Sequence, residues 1–241
     1  IVEGNTYYYR VDAEKMGLYI PGYEIEYTAF LDTTNIHDIF EDNSIIATYN
    51  LNGDVTDLGG NYNGTWSGTE QYATELNSQV ADLGSGRYID LLTTEFESFS
   101  FWFKIDASST YSSGHRIPVA LGSTFMIVLG ASSSNISNEQ FSLFSTSNID
   151  YTKEPSFSEM KNWTHGLIQW NKSSYEIYIN GVERPIFNYS GSVPKLDNIQ
   201  ITLGKRSGYN QYFDGLLSQV RLFNRYLTQK EIDTLYKEGP T

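Results

Sequence analysis

The chain has 241 residues, enough to bury a large core without covalent staples. It contains no cysteine, which excludes disulfides and thiolate metal sites. Its net charge of -13, from 29 acidic and 16 basic residues, argues against nucleic acid as a partner, because a coat of carboxylates repels phosphate.

The chain opens IVEGNTYYYRVDA, with no initiator Met and no charged-then-apolar leader, so it is expected to be mature, processed or cut from something longer. Residues 1–34 read as short strands, NTYYYRVDA and then LYIPGYEIEYTAFL around the Pro21-Gly22 turn. A polar connector follows, with a helical turn expected at Ile36–Phe40, and the boundary falls near residues 32–43. This divides the chain into an N-terminal β extension or docking segment (1–42) and a main domain (43–241).

From Ser44 onward, short alternating runs recur between Gly, Asn, Asp and Ser clusters. With 19 Tyr and 13 Phe, this is the pattern of an antiparallel β protein rich in turns. The expected strands cover 45–51, 62–68, 88–92, 99–106, 116–122, 125–131, 141–146, 163–171, 175–180, 182–188, 199–205 and 218–224. In FSFWFKID, Phe99, Phe101 and Phe103 share one face while Ser100, Trp102 and Lys104 share the other. Both faces therefore need cover, one by the core and the other in part. Phe125 to Leu129 is the longest strongly apolar run, far too short to cross a bilayer, and membrane insertion is not expected. Asn180-Gly181 sits between two alternating runs, and both residues tolerate the positive φ of a type I′ hairpin turn. Near the C-terminus Thr228 and Glu231 form a capping-box pattern, Ile232, Leu235 and Tyr236 make one stripe, and Gly239-Pro240 stops the helix.

Four motifs then occur in a familiar order. Trp163-Thr164-His165 precedes a Tyr178-Ile179-Asn180-Gly181 hairpin. Phe213-Asp214-Gly215 leads into Val220-Arg221-Leu222-Phe223-Asn224-Arg225-Tyr226-Leu227 and the short helix, and YNLNGDVTDLGGNYNGTW (49–66) opens the domain. Over residues 44–238 the chain resembles the laminin-G-like, or concanavalin A-like, lectin/glucanase jelly-roll superfamily. The opening stretch, with its GNYNGT pattern, is also similar to such domains in phage tail and other virion proteins. EGNTYYYRVDA resembles a late strand of a fibronectin type III module. The expected fold is an antiparallel β-sandwich of jelly-roll type with one short C-terminal helix.

Glycan binding needs exposed aromatics to stack on sugar faces and amides or Arg to take hydroxyls. Two inter-strand segments concentrate those types: Arg206, Tyr209, Asn210 and Tyr212 within 204–212, and Tyr111, His115 and Arg116. Ca²⁺ prefers six to eight oxygens, and Asp54, Asp57, Asn61 and Asn63 supply a candidate set; an Asx-turn loop without metal is the alternative. In the family an acidic residue on the closing strand completes this set, whereas here Ser218 and Gln219 stand there, so Gln219 would be a neutral ligand. Jelly-roll glucanases carry carboxylates on alternate strand positions. The nearest approaches here, Glu24/Glu26, Glu95/Glu97 and Glu231/Asp233, lack that pattern or lie on the helix, and no catalytic residue is assigned. His165 reads as a packed strand residue rather than part of a triad. Sequons at Asn63, Asn135, Asn162, Asn171 and Asn188 stand against about three that an Asn- and Ser/Thr-rich chain gives by chance, so they decide nothing.

The expectation is a non-enzymatic, homo-oligomeric carbohydrate-binding domain on an extracellular or virion surface. One alternative is a structural assembly domain that docks on neighbouring subunits through its N-terminal strands. Another is a glycan hydrolase of the same fold.

Overall fold

Alternation of apolar and polar residues is realised as strands through almost the whole chain. The computed structural model describes four N-terminal strands and residues 38–75, 78–84, 86–91, 95–108, 116–122, 125–129, 141–145, 149–171, 174–187, 199–206 and 208–240. Residues Ile1–Ile36 cluster as one unit and His37–Thr241 as another, the division falling within the 32–43 connector. The first unit holds β1 (Thr6–Arg10) paired with β4 (Glu24–Thr28), and β2 (Ala13–Lys15) paired with β3 (Leu18–Ile20).

The second unit is an antiparallel β-sandwich, as the sequence predicts. One sheet follows the order β17 (Val182–Glu183), β16 (Tyr175–Ile179), β15 (Thr164–Trp170), β10 (Ser98–Ile105), β19 (Gly215–Phe223), β8 (Ser78–Leu83), β7 (Tyr72–Glu75), with β5 (Ile45–Tyr49) also on β19. The other runs β14 (Ile149–Tyr151), β13 (Phe141–Ser145), β12 (Phe125–Leu129), β11 (Arg116–Leu121), β18 (Ile201–Leu203), β9 (Tyr88–Leu91), β6 (Thr65–Ser67). Helix α1 (Gln229–Glu238) closes the chain. The expected 182–188 strand ends at Glu183, because Pro185 has no N–H to extend the ladder. Strands β7, β8 and β14 were not anticipated, since polar runs such as YATE carry little alternation. Of the helical turn expected at 36–40, Ile39 and Phe40 form a turn, and Ile36 and His37 lie outside the described residues.

The core lies between the sheets. Phe99, Phe101 and Phe103 from β10 meet Val119, Leu121, Ile127, Leu129, Phe141 and Leu203 from the facing sheet, all essentially inaccessible. Phe101 sits opposite Gly166 on β15, where a Cβ would lie 2.9 Å from the ring, so that position needs glycine.

The other face of β10 is covered by α1. Trp102 stacks on Tyr236 at 5.9 Å, and Ile232 and Leu235 join Ile45, Leu167, Tyr178, Phe223 and Leu227 in a second apolar cluster. Thr228 caps the helix as predicted, accepting from the Glu231 N–H while Glu231 accepts from the Thr228 N–H. The two internal motifs are tied to each other: the His165 N–H donates to Asn180 Oδ1, and the Asn180 N–H donates to the His165 carbonyl, each at 2.9 Å. Asn180 (φ 52) and Gly181 (φ 78) both adopt the left-handed region, as the hairpin turn requires. Gln229 Nε2 donates to the Gly181 carbonyl at 2.7 Å, so the hairpin tip also seats the helix.

Candidate functional site

Between β18 and β19 the chain folds back on itself as a narrow loop. The Gly204 N–H donates to the Pro118 carbonyl on β11, and the Phe213 N–H returns to the Gly204 carbonyl, both at 2.8 Å. Lys205 bridges Tyr212, Arg206 donates to Gln211, and Tyr209 donates back to Arg206 through backbone groups. The loop is thus built on the ladder rather than draped over it.

Its cations lie on aromatic rings. Lys205 Nζ stands 4.3 Å from the Tyr88 centroid and 5.5 Å from that of Tyr212. The Arg206 guanidinium lies 3.8 Å from the Tyr209 centroid and 5.3 Å from that of Phe144. Arg206 Nη1 also donates to Gln211 Oε1 at 3.2 Å. Tyr88 alternates with the core residues Ile89 and Leu91, and Phe144 with Phe141 and Leu143, so both rings face outward from the seven-stranded sheet. Tyr209 is 53% exposed, and with one face on the guanidinium it turns the other to solvent. Asn210 is exposed beside it. A flat ring flanked by amides and a guanidinium can stack on the apolar face of a sugar and bond its hydroxyls.

The structure therefore gathers Arg206, Tyr209, Asn210 and Tyr212 on one loop. It adds Lys205 and Gln211 from the same loop, and Tyr88 and Phe144, which the sequence reading did not single out. Period-two alternation marks the last two as outward-facing, but no local signal says which distant loop they meet. Arg116 is different: it is only 4% exposed, and its guanidinium lies 4.8 Å from the Phe157 centroid, so it does not present itself to solvent. Its pKa is lowered by burial, against the pull of the Asp214 carboxylate. Tyr111 and His115 lie outside the described residues.

The candidate calcium loop has a different internal logic. Asp57 is buried, and its carboxylate accepts from the backbone N–H groups of Thr48, Gly59, Asn61 and Tyr62 at 2.9 to 3.2 Å. Asn63 Oδ1 accepts from the Asp57 N–H, and Asp54 Oδ1 from the Thr56 N–H. Gln219 sits at φ 44 on β19, its Oε1 enclosed without a partner among the described residues. Nowhere among the described residues do three His, Asp or Glu side chains converge as a metal set. Of the five candidate ligands, Asp54, Asp57 and Asn63 accept from backbone amides, whereas among the described residues Gln219 Oε1 does not; Ca²⁺ would need six to eight oxygens from this loop and its neighbours.

The remaining titratable groups hold structure. Glu231 caps α1 and takes Arg225 through both oxygens, which with the Thr228 contacts holds its pKa down to about 2. Asp233 accepts from Gln229. Glu95 is exposed, and the side chains of Glu24 and Glu26 lie outside the described residues. His165 is fully buried, its Nε2 2.9 Å from Ser100 Oγ, and burial followed by the Arg221 charge lowers its pKa to about 3. No described group orients its Nδ1, so this Ser–His pair lacks the third member a nucleophilic triad needs. A cleft of about 280 Å³ at the β16–β17 edge is lined by Ser174, Glu176, Glu183, Arg184, Pro185 and neighbours. No helix among the described residues is long and apolar enough to cross a membrane.

Two antiparallel sheets, a Trp-strand tied to an Asn-Gly hairpin and a capped closing helix define a lectin-type jelly roll. The profile of the concanavalin A-like lectin/glucanase superfamily matches residues 67–233, and the chain belongs to that superfamily. Among solved structures it is similar to domain 4 of AbnA, a GH43 extracellular arabinanase from Geobacillus stearothermophilus, in complex with arabinotriose. That match has 23% identity and a TM-score of 0.61, over 80% of this chain and 98% of that one. It is also similar to the binding domain of botulinum neurotoxin DC, in complex with rat synaptotagmin II (18%, TM-score 0.58, 81% of this chain and 51% of that one). The binding domain of Paraclostridial Mosquitocidal Protein 1 matches at 18% and a TM-score of 0.56, over 81% and 52%. This chain thus spans about half the length of the two toxin chains. At these identities the likeness establishes the fold. No curated protein matches the chain.

Proposed function

We propose that the chain is a non-catalytic carbohydrate-binding domain of a protein displayed on an extracellular or virion surface, with the 204–213 loop as its sugar-binding platform. The observation that carries this reading is Tyr209, more than half exposed and backed on one face by the Arg206 guanidinium at 3.8 Å. An arginine behind the ring fixes its orientation without covering the opposite face, which is the one a sugar needs. Supporting it, the neighbour from the arabinanase is a domain solved with arabinotriose. A glycan array probed with the whole chain tests the reading. The parent should bind at least one glycan family, and Tyr209→Ala and Tyr212→Ala should each lose that signal with little change in stability. An array on which the parent binds nothing would overturn it.

A second reading is a structural assembly domain, favoured by the separate clustering of Ile1–Ile36 and its two small sheets. Strand addition by that segment to a neighbouring subunit would make assembly depend on it. Sedimentation of the whole chain and of a variant lacking residues 1–36 separates the two readings. Loss of an oligomer with glycan binding intact would assign assembly to the N-terminal unit alone. Calcium enters this reading only as a test. If the Asp57 amide cage suffices, chelation leaves the Tm unchanged; a Tm that rises with added Ca²⁺ would restore a metal site.

A further inference from the structure

We propose that this surface selects an acidic glycan, one whose sugars carry a carboxylate or sulfate, over its neutral counterpart; the inference rests on the carbohydrate-binding reading above. It follows from how the chain treats its positive charges. Acidic residues outnumber basic ones 29 to 16, so carboxylate partners are plentiful. Most other described arginines have taken one: Arg87 pairs with Asp82, Arg184 with Glu154, Arg221 with Glu238, and Arg225 with Asp42 and Glu231. Arg116, Lys153 and Lys161 each lie on one ring, whereas Lys205 and Arg206, consecutive in the chain, lie on four: Tyr88, Tyr212, Tyr209 and Phe144.

A ring attracts a cation through its quadrupole but carries no net charge, so both charges persist at the surface. Around them the hydrogen-bonding is also incomplete. Arg206 Nη1 donates to the neutral Gln211 amide, and its Nε is enclosed with no acceptor among the described residues. Two described acids near the loop are directed elsewhere: Asp90 Oδ1 accepts from Thr202, its register partner on β18, and Asp214 acts on Arg116, opposing the lowering that burial imposes. Neither forms an ion pair with Lys205 or Arg206. Two like charges, Lys205 held toward Tyr88 on β9 and Arg206 toward Tyr209 and Phe144 on β13, have no counter-charge among the described residues, and each is preorganised for an anion. The guanidinium fork suits the paired oxygens of a carboxylate or sulfate, while the open face of Tyr209 takes the sugar ring.

Equilibrium titration of the whole chain tests this, using matched oligosaccharides: a uronic-acid oligomer against its carboxyl-reduced form, and a sulfated oligomer against its desulfated form. The acidic member of at least one pair should bind about tenfold tighter at low salt, the sum expected of two partly exposed charge contacts. That preference should shrink as salt rises, and should disappear in Lys205→Gln/Arg206→Gln, while Arg206→Lys keeps part of it. Acidic and neutral members that bind equally, both lost in Tyr209→Ala, would overturn the charge inference and leave the platform standing. An acid preference that survives the double substitution would overturn it as well. If no member of either pair binds and the array is also blank, the carbohydrate reading falls, and this inference with it.

Discussion

The outer faces of the two sheets are finished in opposite ways. On the eight-stranded sheet, α1 covers Trp102, Leu167, Tyr178 and Phe223, and the arginines there are neutralised: Arg221 by Glu238, and Arg225 by Asp42 and Glu231. On the seven-stranded sheet, Tyr88 and Phe144 carry Lys205 and Arg206 with no carboxylate paired to them among the described residues, and Tyr209 stands exposed above Arg206. The first face is sealed by apolar burial and paired charge; the second also buries a patch, Ile117, Ala120, Met126 and Val128 with Phe144 against it, but at the 204–213 loop it keeps aromatic surface and positive charge available. The same guanidinium serves stability on one face and is left for recognition on the other, and the partner beside it makes the difference.

The largest effect should come from unsealing the first face. Leu235→Ala removes a fully buried side chain from the cluster under α1 and should cost about 3 kcal/mol by denaturant unfolding. Sugar binding at the opposite sheet should be retained wherever the fold persists. A cost near zero would mean that the helix does not seal the sheet.

Acid should act on the sealed face too. His165 is buried neutral with its pKa lowered to about 3, so below its ordinary value of 6.5 the unfolded chain binds a proton the folded one refuses. Its contribution is fully present above pH 6.5 and is lost as pH falls from there towards 3, at about 1.4 kcal/mol per pH unit. Stability measured against pH should show this slope in the parent, and it should flatten in His165→Asn. Glu231 adds a later loss: its pKa is held down to about 2, so its stabilisation is present above its ordinary value of 4.5 and goes as pH drops from there towards 2.

The smallest differences sharpen the comparison most. Arg225→Ala should destabilise by about 1 kcal/mol, because it breaks a network that also steadies the helix cap. Arg206→Ala should change stability by less than about 0.5 kcal/mol, yet weaken glycan binding. Equal stability costs for the two would erase the distinction between the faces.

What could be read from the chain was local chemistry. Thr228 and Glu231 lie one helical turn apart, and Asn180 and Gly181 are adjacent, so their capping box and hairpin could be anticipated without tertiary information. The sandwich followed from alternation in strands such as FSFWFKID. The rest depended on partners far along the chain. Tyr88 and Phe144 meet the 204–213 loop only because β9, β18, β11, β12 and β13 lie side by side. Arg116 has the side chain of a binding residue, and only the fold reveals that it is buried against Phe157. Asp57 has the spacing of a metal ligand, and spacing cannot tell whether an oxygen will meet an ion or four backbone amides. Strand β7 escaped notice because its polar edge residues have no buried face to advertise, and β8 because its buried Val80, Ala81 and Leu83 do not alternate strictly.

The most direct test of the ring-and-cation platform is chemical-shift mapping of the whole chain, titrated with the glycan that binds it best. Shifts concentrated at Tyr88, Lys205, Arg206, Tyr209 and Tyr212 are the predicted result. Shifts confined to the Ser174–Ile186 cleft would contradict it, placing recognition at the β16–β17 edge.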